Sequence, residues 1–351
     1  MIKQLEFGKA IKCQKKIKYV LFLIALIRCL GLTGQVNSPG SDLTQVMGKS
    51  GYELVKDWPQ LPVGYIVGNP TGIGLDNKQN VFIFIRAGRS WKDVMPDSVI
   101  SAKTILMLDR NTGKILNSWG AGLFIMPHGL TVDKQNNIWV TDVGLHQIFK
   151  FDQNGKLLMK LGVAKVAGND SLHFNQPTDV AVADDGSFFV SDGYGNNRIV
   201  KFSSSGKYLL DWGSKGNKPG EFDLPHAVDL DSEGSLYVAD RENNRIQKFD
   251  ANGRFIKEWT NGGFAKMYSL TIDKKKNQMV AIDYLKVNSI IKGSNVIVFD
   301  KAHNNIRQFG RSGAYNGPLC RYHDISVDDE GNLYICDILG NSVQKFKKID
   351  R

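Results

Sequence analysis

From about residue 68 onward, short runs of alternating apolar and polar residues are broken by clusters of turn formers. Arg198-Ile-Val-Lys-Phe202, Arg245-Ile-Gln-Lys-Phe249 and Ser342-Val-Gln-Lys-Phe346 are one such run met three times. Asp133-Lys-Gln-Asn-Asn137, Asp231-Ser-Glu-Gly234 and Asp328-Asp-Glu-Gly331 are turn clusters between others. Period-two patterning with Asn, Asp and Gly at the breaks predicts hairpin-linked β-strands. Apolar runs also end on a recurring aspartate: Asp142, Asp192, Asp240, Asp283 and Asp337, spaced 50, 48, 43 and 54 residues apart. A second recurring point precedes each, at Thr71, His128, Thr178, His226, Tyr268 and His323. Six units, each long enough for about four short strands, predict an all-β fold, a six-bladed β-propeller over residues 61–351. The strand carrying the second point should be innermost, and we expect it to be the shortest and most apolar. Residues 35–60 read as a polar leader with a candidate strand to close the ring.

Composition changes this picture little. The chain of 351 residues is 42% hydrophobic and 23% charged, ordinary for a folded protein. Its net charge of +10 suggests nucleic acid until the charge is located. Residues 1–34 hold six lysines and Arg28 against Glu6, so the remainder carries little excess and no basic stripe. No nucleic-acid partner is expected. A lysine-rich stretch ending at Lys18, the apolar run Tyr19 to Ile27, and small residues near Gly31 to Gly34 form the pattern of an export signal. The run is too short to span a bilayer, which takes about twenty residues. Residues 1–34 are therefore expected to direct export to the periplasm, the cell envelope or the medium, with no transmembrane domain in the mature chain. Cys29 raises lipid anchoring as an alternative, against which Arg28 stands where a small residue is wanted. Cys320 and Cys336 are left as a disulfide candidate or as two buried thiols.

The chemistry concentrates at the second recurring point. Histidine occupies it in the second, fourth and sixth units, at His128, His226 and His323, 98 and 97 residues apart. Around a six-fold ring those positions converge with three-fold spacing. Three imidazoles on one point suit zinc, leaving a coordination position open. His146, His173 and His303 share no register and read as surface residues. Asp324, directly after His323, offers a hard oxygen ligand that suits calcium, although Asp179 after Thr178 shows that such an aspartate can be a turn residue. Arg86 ends the apolar strand Val81–Ile85 where later units have their aspartate. Arg241 follows Asp240, and Tyr194 stands two residues after Asp192. By position these three belong at the channel mouth, as functional groups or as salt-bridge and loop residues.

Together these residues resemble a family. The chain is similar to NHL-repeat propellers and, within them, to the peptidyl-α-hydroxyglycine α-amidating lyases, from about Gly68 to Phe346. The resemblance rests most on Met126-Pro-His-Gly-Leu130 with Trp139-Val-Thr-Asp142, on Gln176-Pro-Thr-Asp-Val-Ala-Val182 with Val190-Ser-Asp-Gly-Tyr194, and on Leu224-Pro-His226 with Asp240-Arg-Glu-Asn243. It implies a zinc held by His128, His226 and His323. It also implies a structural calcium on Asp324 and the backbone carbonyls of Ile73 and Leu130. Tyr194 would be the catalytic tyrosine, and Arg86 and Arg241 the active-site arginines. The implied substrate is a small peptide or N-acyl group ending in α-hydroxyglycine, a carbinolamide that breaks to an amide plus glyoxylate.

Several positions depart from the family pattern. Gly195 and Lys248 replace disulfide cysteines, Ile85 replaces a histidine, and Arg321-Tyr322 replaces Met-Pro before the third histidine. The Arg321 change puts a charge beside the metal position and opens the question of substrate selectivity. No monooxygenase domain is recognisable in this chain. Two other readings are a non-catalytic NHL propeller binding a protein or glycan, and a calcium-dependent lactonase-like hydrolase. The three-histidine centre argues against the latter, whose sites favour oxygen ligands.

Overall fold

The computed structural model describes residues 51–349 apart from 93, 261–264, 301, 303 and 311–319. The expected signal segment, Cys29 and His303 lie outside these. The described residues form six antiparallel sheets with no helix, so the expected architecture holds. The first strands of the six blades are Pro70–Leu75, Pro127–Val132, Asp179–Val182, Pro225–Leu230, Lys266–Asp273 and Tyr322–Val327. They touch in cyclic order, and Tyr322–Val327 meets Pro70–Leu75 to complete the circle. Tyr52–Leu54 is the outermost strand of the sixth sheet, pairing Tyr52 with Lys348 and Leu54 with Phe346. The segment before the first blade is also less polar than its sequence suggests. Trp58 and Val67 are buried, and Trp58 packs edge-on to Tyr334.

The first strands are innermost, but they are neither the shortest nor the most apolar. Most run six residues, and they carry Thr71, His128, Asp179, His226 and His323. In five of the six blades the second strand is wholly buried, as in Val81–Ile85 and Leu333–Asp337, and in the fifth blade the third strand, Asn295–Phe299, is. The reason is geometric. A second strand is covered on both faces by neighbouring blades, whereas a first strand lines the channel and must solvate it. Apolar packing therefore lies between blades. Phe82, Phe84 and Ile105 of the first blade, for example, pack against Phe124, Val140 and Phe151 of the second. Each such side chain contributes about 1.5–3 kcal/mol on burial.

The recurring aspartates fix how each blade is entered. Asp142 Oδ2 accepts the N–H groups of Ile125 and Met126, Asp240 Oδ1 that of Asp223, and Asp337 Oδ1 that of Arg321. Each thus holds the chain leading into its own blade's first strand. Asp192 and Asp240 also pair with Arg198 and Arg245 at 3.0 and 2.7 Å, which gives the repeated arginines a structural role. The turn aspartates act locally, as Asp133 Oδ1 does in accepting the N–H groups of Gln135 and Asn137. The fifth blade departs from the pattern. Its second strand, Gln278–Val287, outruns the sheet and pairs with an added strand, Ile290–Gly293.

Candidate metal centre and channel cavity

His128, His226 and His323 converge at the start of alternate first strands, their ligand atoms all within 4.8 Å of one another. All three are buried. Each ring is tied by Nδ1 to a carbonyl of the next blade, His128 to Thr178, His226 to Tyr268 and His323 to Thr71, every one at 2.7 Å. A carbonyl only accepts, so Nδ1 must carry the proton and Nε2 presents its lone pair to the channel. The three carbonyls belong to the non-histidine members of the same register, so alternation along the sequence becomes a ring of tethers. Burial, with the nearby Arg86 or a neighbouring histidine, holds all three imidazoles well below the usual histidine range. Neutral, oriented imidazoles whose other nitrogen is occupied are the donor set a metal ion requires. The three histidines could hold a metal ion.

Two glycines make this convergence possible. A Cβ on Gly129 would lie 2.5 Å from the Thr178 carbonyl oxygen that tethers His128. One on Gly193 would lie 1.9 Å from the Pro225 carbonyl oxygen, so only glycine lets the chain bring Tyr194 over the centre.

Tyr194 lies at the histidines. Its hydroxyl is 3.1 Å from His128 Nε2 and 3.2 Å from His226 Nε2, and it accepts a hydrogen bond from Arg241 Nη1 at 3.3 Å. Burial pushes the phenol above its ordinary range, while Arg241, Arg86 and Arg321 pull it down. Positive protein charge alone therefore does not ionise it. Arg241 also pairs with Glu242 at 3.0 Å. Arg86 is buried and donates from Nε to the Pro127 carbonyl at 2.9 Å. Its terminal nitrogens make no hydrogen bond among the described residues. Burial lowers it to about 10, still protonated at neutral pH.

The strand register corrects the sequence reading of Arg86. Pro70 pairs with Ile85 as Pro225 pairs with Asp240 and Pro127 with Asp142. Ile85 therefore takes the aspartate's place. Arg86 is the counterpart of Arg241, in the opposite blade of the ring.

A cavity of about 460 Å³ opens beside the centre, lined by Arg86, Arg241, Arg321, Tyr194, His323 and Trp91 among others. Trp91 packs against Tyr194 at 4.8 Å between ring centroids, with Arg86 5.5 Å from its ring. The sequence reading missed Trp91, which sits in a loop with no counterpart in other repeats. It also missed Tyr268, an aromatic in the register of the histidines and so detectable in principle.

Further along the same strands, a cavity of about 290 Å³ is lined by Ile73, Leu130, Asp324, Asp179 and Asp229. Asp324 Oδ2 accepts the N–H of Ile73 at 2.9 Å, and Oδ1 accepts the Ser269 hydroxyl at 2.7 Å. Asp179 and Asp229 similarly accept the N–H groups of Val228 and Ile272 in their following blades. Burial raises all three carboxyls, Asp324 to about 7, and pushes Asp179 well up. Asp179 is therefore more than the turn residue its sequence position suggests. The remaining predicted positions fall elsewhere. His173 pairs with Asp170, and His146 is half-buried, its Nδ1 accepting the Gln176 N–H, rather than being a surface residue. Cys320 and Cys336 are buried free thiols.

Fold and site define the class: a six-bladed NHL-type propeller with a three-histidine centre in its channel. A family model described as a 6-bladed beta-propeller matches residues 159–261, and an NHL-repeat model matches residues 124–151. Peptidyl-glycine alpha-amidating monooxygenase B of Xenopus laevis is 37% identical over 329 residues, covering 83% of this chain and 35% of that protein. A probable peptidyl-alpha-hydroxyglycine alpha-amidating lyase of Caenorhabditis elegans is 41% identical over 189 residues, covering 50% of this chain and 54% of that one. The chain is thus a relative of the peptidyl-α-hydroxyglycine α-amidating lyases, as the sequence motifs implied. It spans between about a third and about half of the length of these curated relatives. Among solved structures, a gluconolactonase from Xanthomonas campestris has a TM-score of 0.54 at 14% identity, covering 80% of this chain and 88% of that one, which speaks for the fold alone. No helix among the described residues is long and apolar enough to cross a membrane.

Proposed function

We propose that this protein is a zinc-dependent lyase that cleaves a C-terminal α-hydroxyglycine from a peptide or N-acyl substrate, leaving an amide and glyoxylate. The observation that carries this reading is the position of the Tyr194 hydroxyl, 3.1 and 3.2 Å from two of three Nδ1-tethered histidines. His128, His226 and His323 fit zinc, because each offers a neutral Nε2 and its other nitrogen is already bonded. Bound there, zinc would supply Lewis-acid polarisation of the substrate hydroxyl and the positive charge that Tyr194 lacks.

The chain's own residues do the rest. Arg86, with two free terminal nitrogens in a buried setting, clamps the substrate carboxylate as a planar fork. Arg241 steadies the ionised form of Tyr194 through its hydrogen bond to the phenol oxygen. Tyr194 takes the hydroxyl proton of the carbinolamide as the C–O bond becomes a carbonyl and the C–N bond breaks. The departing nitrogen keeps the bonding pair and takes back the proton that Tyr194 accepted, which restores the phenolate and completes the amide without any change of oxidation state. Trp91 covers Tyr194 and limits water at the phenol. Asp324, with the Ile73 and Leu130 carbonyls, would hold a structural calcium. Asp324 and Asp179 repel one another in that cavity and Lys274 bears only on Asp229, so a cation held by Asp324 would relieve the crowding of carboxylates. The basic and apolar N-terminal segment supports export.

The test is glyoxylate release from a synthetic α-hydroxyglycine-capped peptide by zinc-quantified protein, beside His226→Ala. Release that depends on zinc and disappears in the variant is expected. A fully metallated wild type that releases none would refute the lyase reading.

A further inference from the structure

Arg321 is not accounted for by the chemistry above. It stands two residues before His323, the register filled by Asn69, Met126, Gln176, Leu224 and Lys266 in the other blades. Of the two cations in that register, Lys266 has a carboxylate partner, Glu242. Arg321 has none among the described residues. One of its terminal nitrogens donates to the Tyr268 hydroxyl at 2.6 Å. Its Nε is buried and has no hydrogen-bond partner among the described residues. The guanidinium lies 4.8 Å from the Tyr284 ring centre and 5.4 Å from that of Tyr268, whose ring also lies 5.0 Å from the Arg241 guanidinium.

The cavity thus brings together Arg86, Arg241 and Arg321, and among the described residues no acidic side chain lines it. Glu242, the carboxylate that pairs with Arg241, is shared with Lys266. Aromatic faces attract a guanidinium by about 0.5–2 kcal/mol, which does not balance the loss of water around a charge. A half-buried cation with an orphan N–H, beside like charges, is an anion site awaiting its anion. The α-hydroxyglycine carboxylate is a single anion, and Arg86 suffices for it.

We infer that Arg321 binds a second carboxylate on the substrate, carried by the residue or acyl group that precedes the hydroxyglycine. This rests on the proposed lyase reading for the identity of the first anion, but not for the existence of the subsite. Ile291 and Leu339 lie at the same cavity and would pack the aliphatic carbons that carry that carboxylate.

The experiment compares three unreactive ligands by calorimetry on the zinc-loaded full chain: N-acetyl-Glu-Gly, N-acetyl-Gln-Gly and N-succinyl-Gly. A charge-assisted bond to a guanidinium predicts that a dicarboxylate binds about tenfold or more tighter than the Gln form. Which dicarboxylate gains decides between a side-chain and an acyl source. Arg321→Met and Arg321→Gln should reduce the preference to about unity, and Arg321→Lys should keep part of it. Glyoxylate release from matched Glu- and Gln-hydroxyglycine peptides is measured on the same preparations. Equal binding of the Glu, Gln and succinyl forms by wild type overturns the inference. So does a preference that survives Arg321→Met, or, if the variants do not fold, one that added salt leaves unchanged in wild type. Tight dicarboxylate binding without any glyoxylate release would keep the subsite and remove the lyase.

Discussion

Gly129→Ala tests whether the carbonyl tethers build the metal centre. The added Cβ would stand 2.5 Å from the Thr178 carbonyl oxygen and 2.7 Å from Asp179 Oδ1. An ordinary carbon–oxygen contact begins at about 3.3 Å, so roughly 0.8 Å must be found somewhere. The Gly129 N–H is held by Thr141 Oγ1 at 2.8 Å, and the same hydroxyl donates to the Thr178 carbonyl at 2.8 Å. The glycine's own strand therefore has little room to retreat, and the carbonyl must give. That carbonyl holds His128 Nδ1 at 2.7 Å, and a shift of this size takes the bond past useful hydrogen-bond length. Losing such a ligand-orienting bond costs about 10–100-fold in metal affinity. Overpacking adds about 1–3 kcal/mol of destabilisation. The assay is a zinc titration against a chromophoric chelator, beside thermal unfolding of the metal-free protein. Gly168→Ala is the control, since its Cβ would crowd only the His173 side chain at 2.7 Å, remote from the centre. The reasoning is refuted if Gly129→Ala lowers stability as the control does but binds zinc as wild type does.

Four further outcomes follow from the same geometry. Tyr194→Phe should keep its zinc and lose about 10²–10⁴-fold in glyoxylate release, the usual worth of a general base; undiminished turnover removes that assignment. Millimolar calcium should raise the melting temperature of wild type but not of Asp324→Asn, and equal shifts in both would take calcium away from this carboxylate. Cys320 and Cys336 are buried, and burial pushes the Cys320 thiol up to about 11 and holds Cys336 well above the ordinary thiol range. A thiol reagent should therefore titrate both in denaturant and react slowly with the native protein; fast native reaction would contradict their burial. Expressed in a cell that exports proteins, the chain should be recovered with an N-terminus near residue 34, and an intact Met1 would oppose the export signal.

Much of the fold was legible because a propeller writes its period into its turns. The aspartates that hold the entry chains of most blades, and the alternating runs between them, recur along the sequence because those blades repeat the same hydrogen bonds. The histidine triplet was legible for the same reason, since equivalent register positions must converge around a closed ring. The polarity of the innermost strands was not. An apolar run looks alike whether blades cover it on both faces or it borders a channel, and only the packed ring shows that in most blades the second strand is the wholly buried one. The one-residue slip in placing Arg86 has a similar origin. Its blade lacks the aspartate that marks the register elsewhere, so strand pairing alone made it the counterpart of Arg241.

What the sequence determined by itself was local and periodic: strand-forming patterns, the turn residues, the number of units and the imidazoles sharing one register. Tertiary structure decided everything that depends on contacts between blades. It turned the alternating Thr and Tyr positions into carbonyl tethers that set the histidine tautomers, and it placed the Tyr194 hydroxyl between the Nε2 atoms of two of those histidines. It also set Arg321 beside two other guanidinium groups with no carboxylate partner among the described residues. Partnership between charges is a matter of distance across the channel, and residues as far apart in the chain as Arg86 and Arg321 become neighbours in one cavity only when the ring closes.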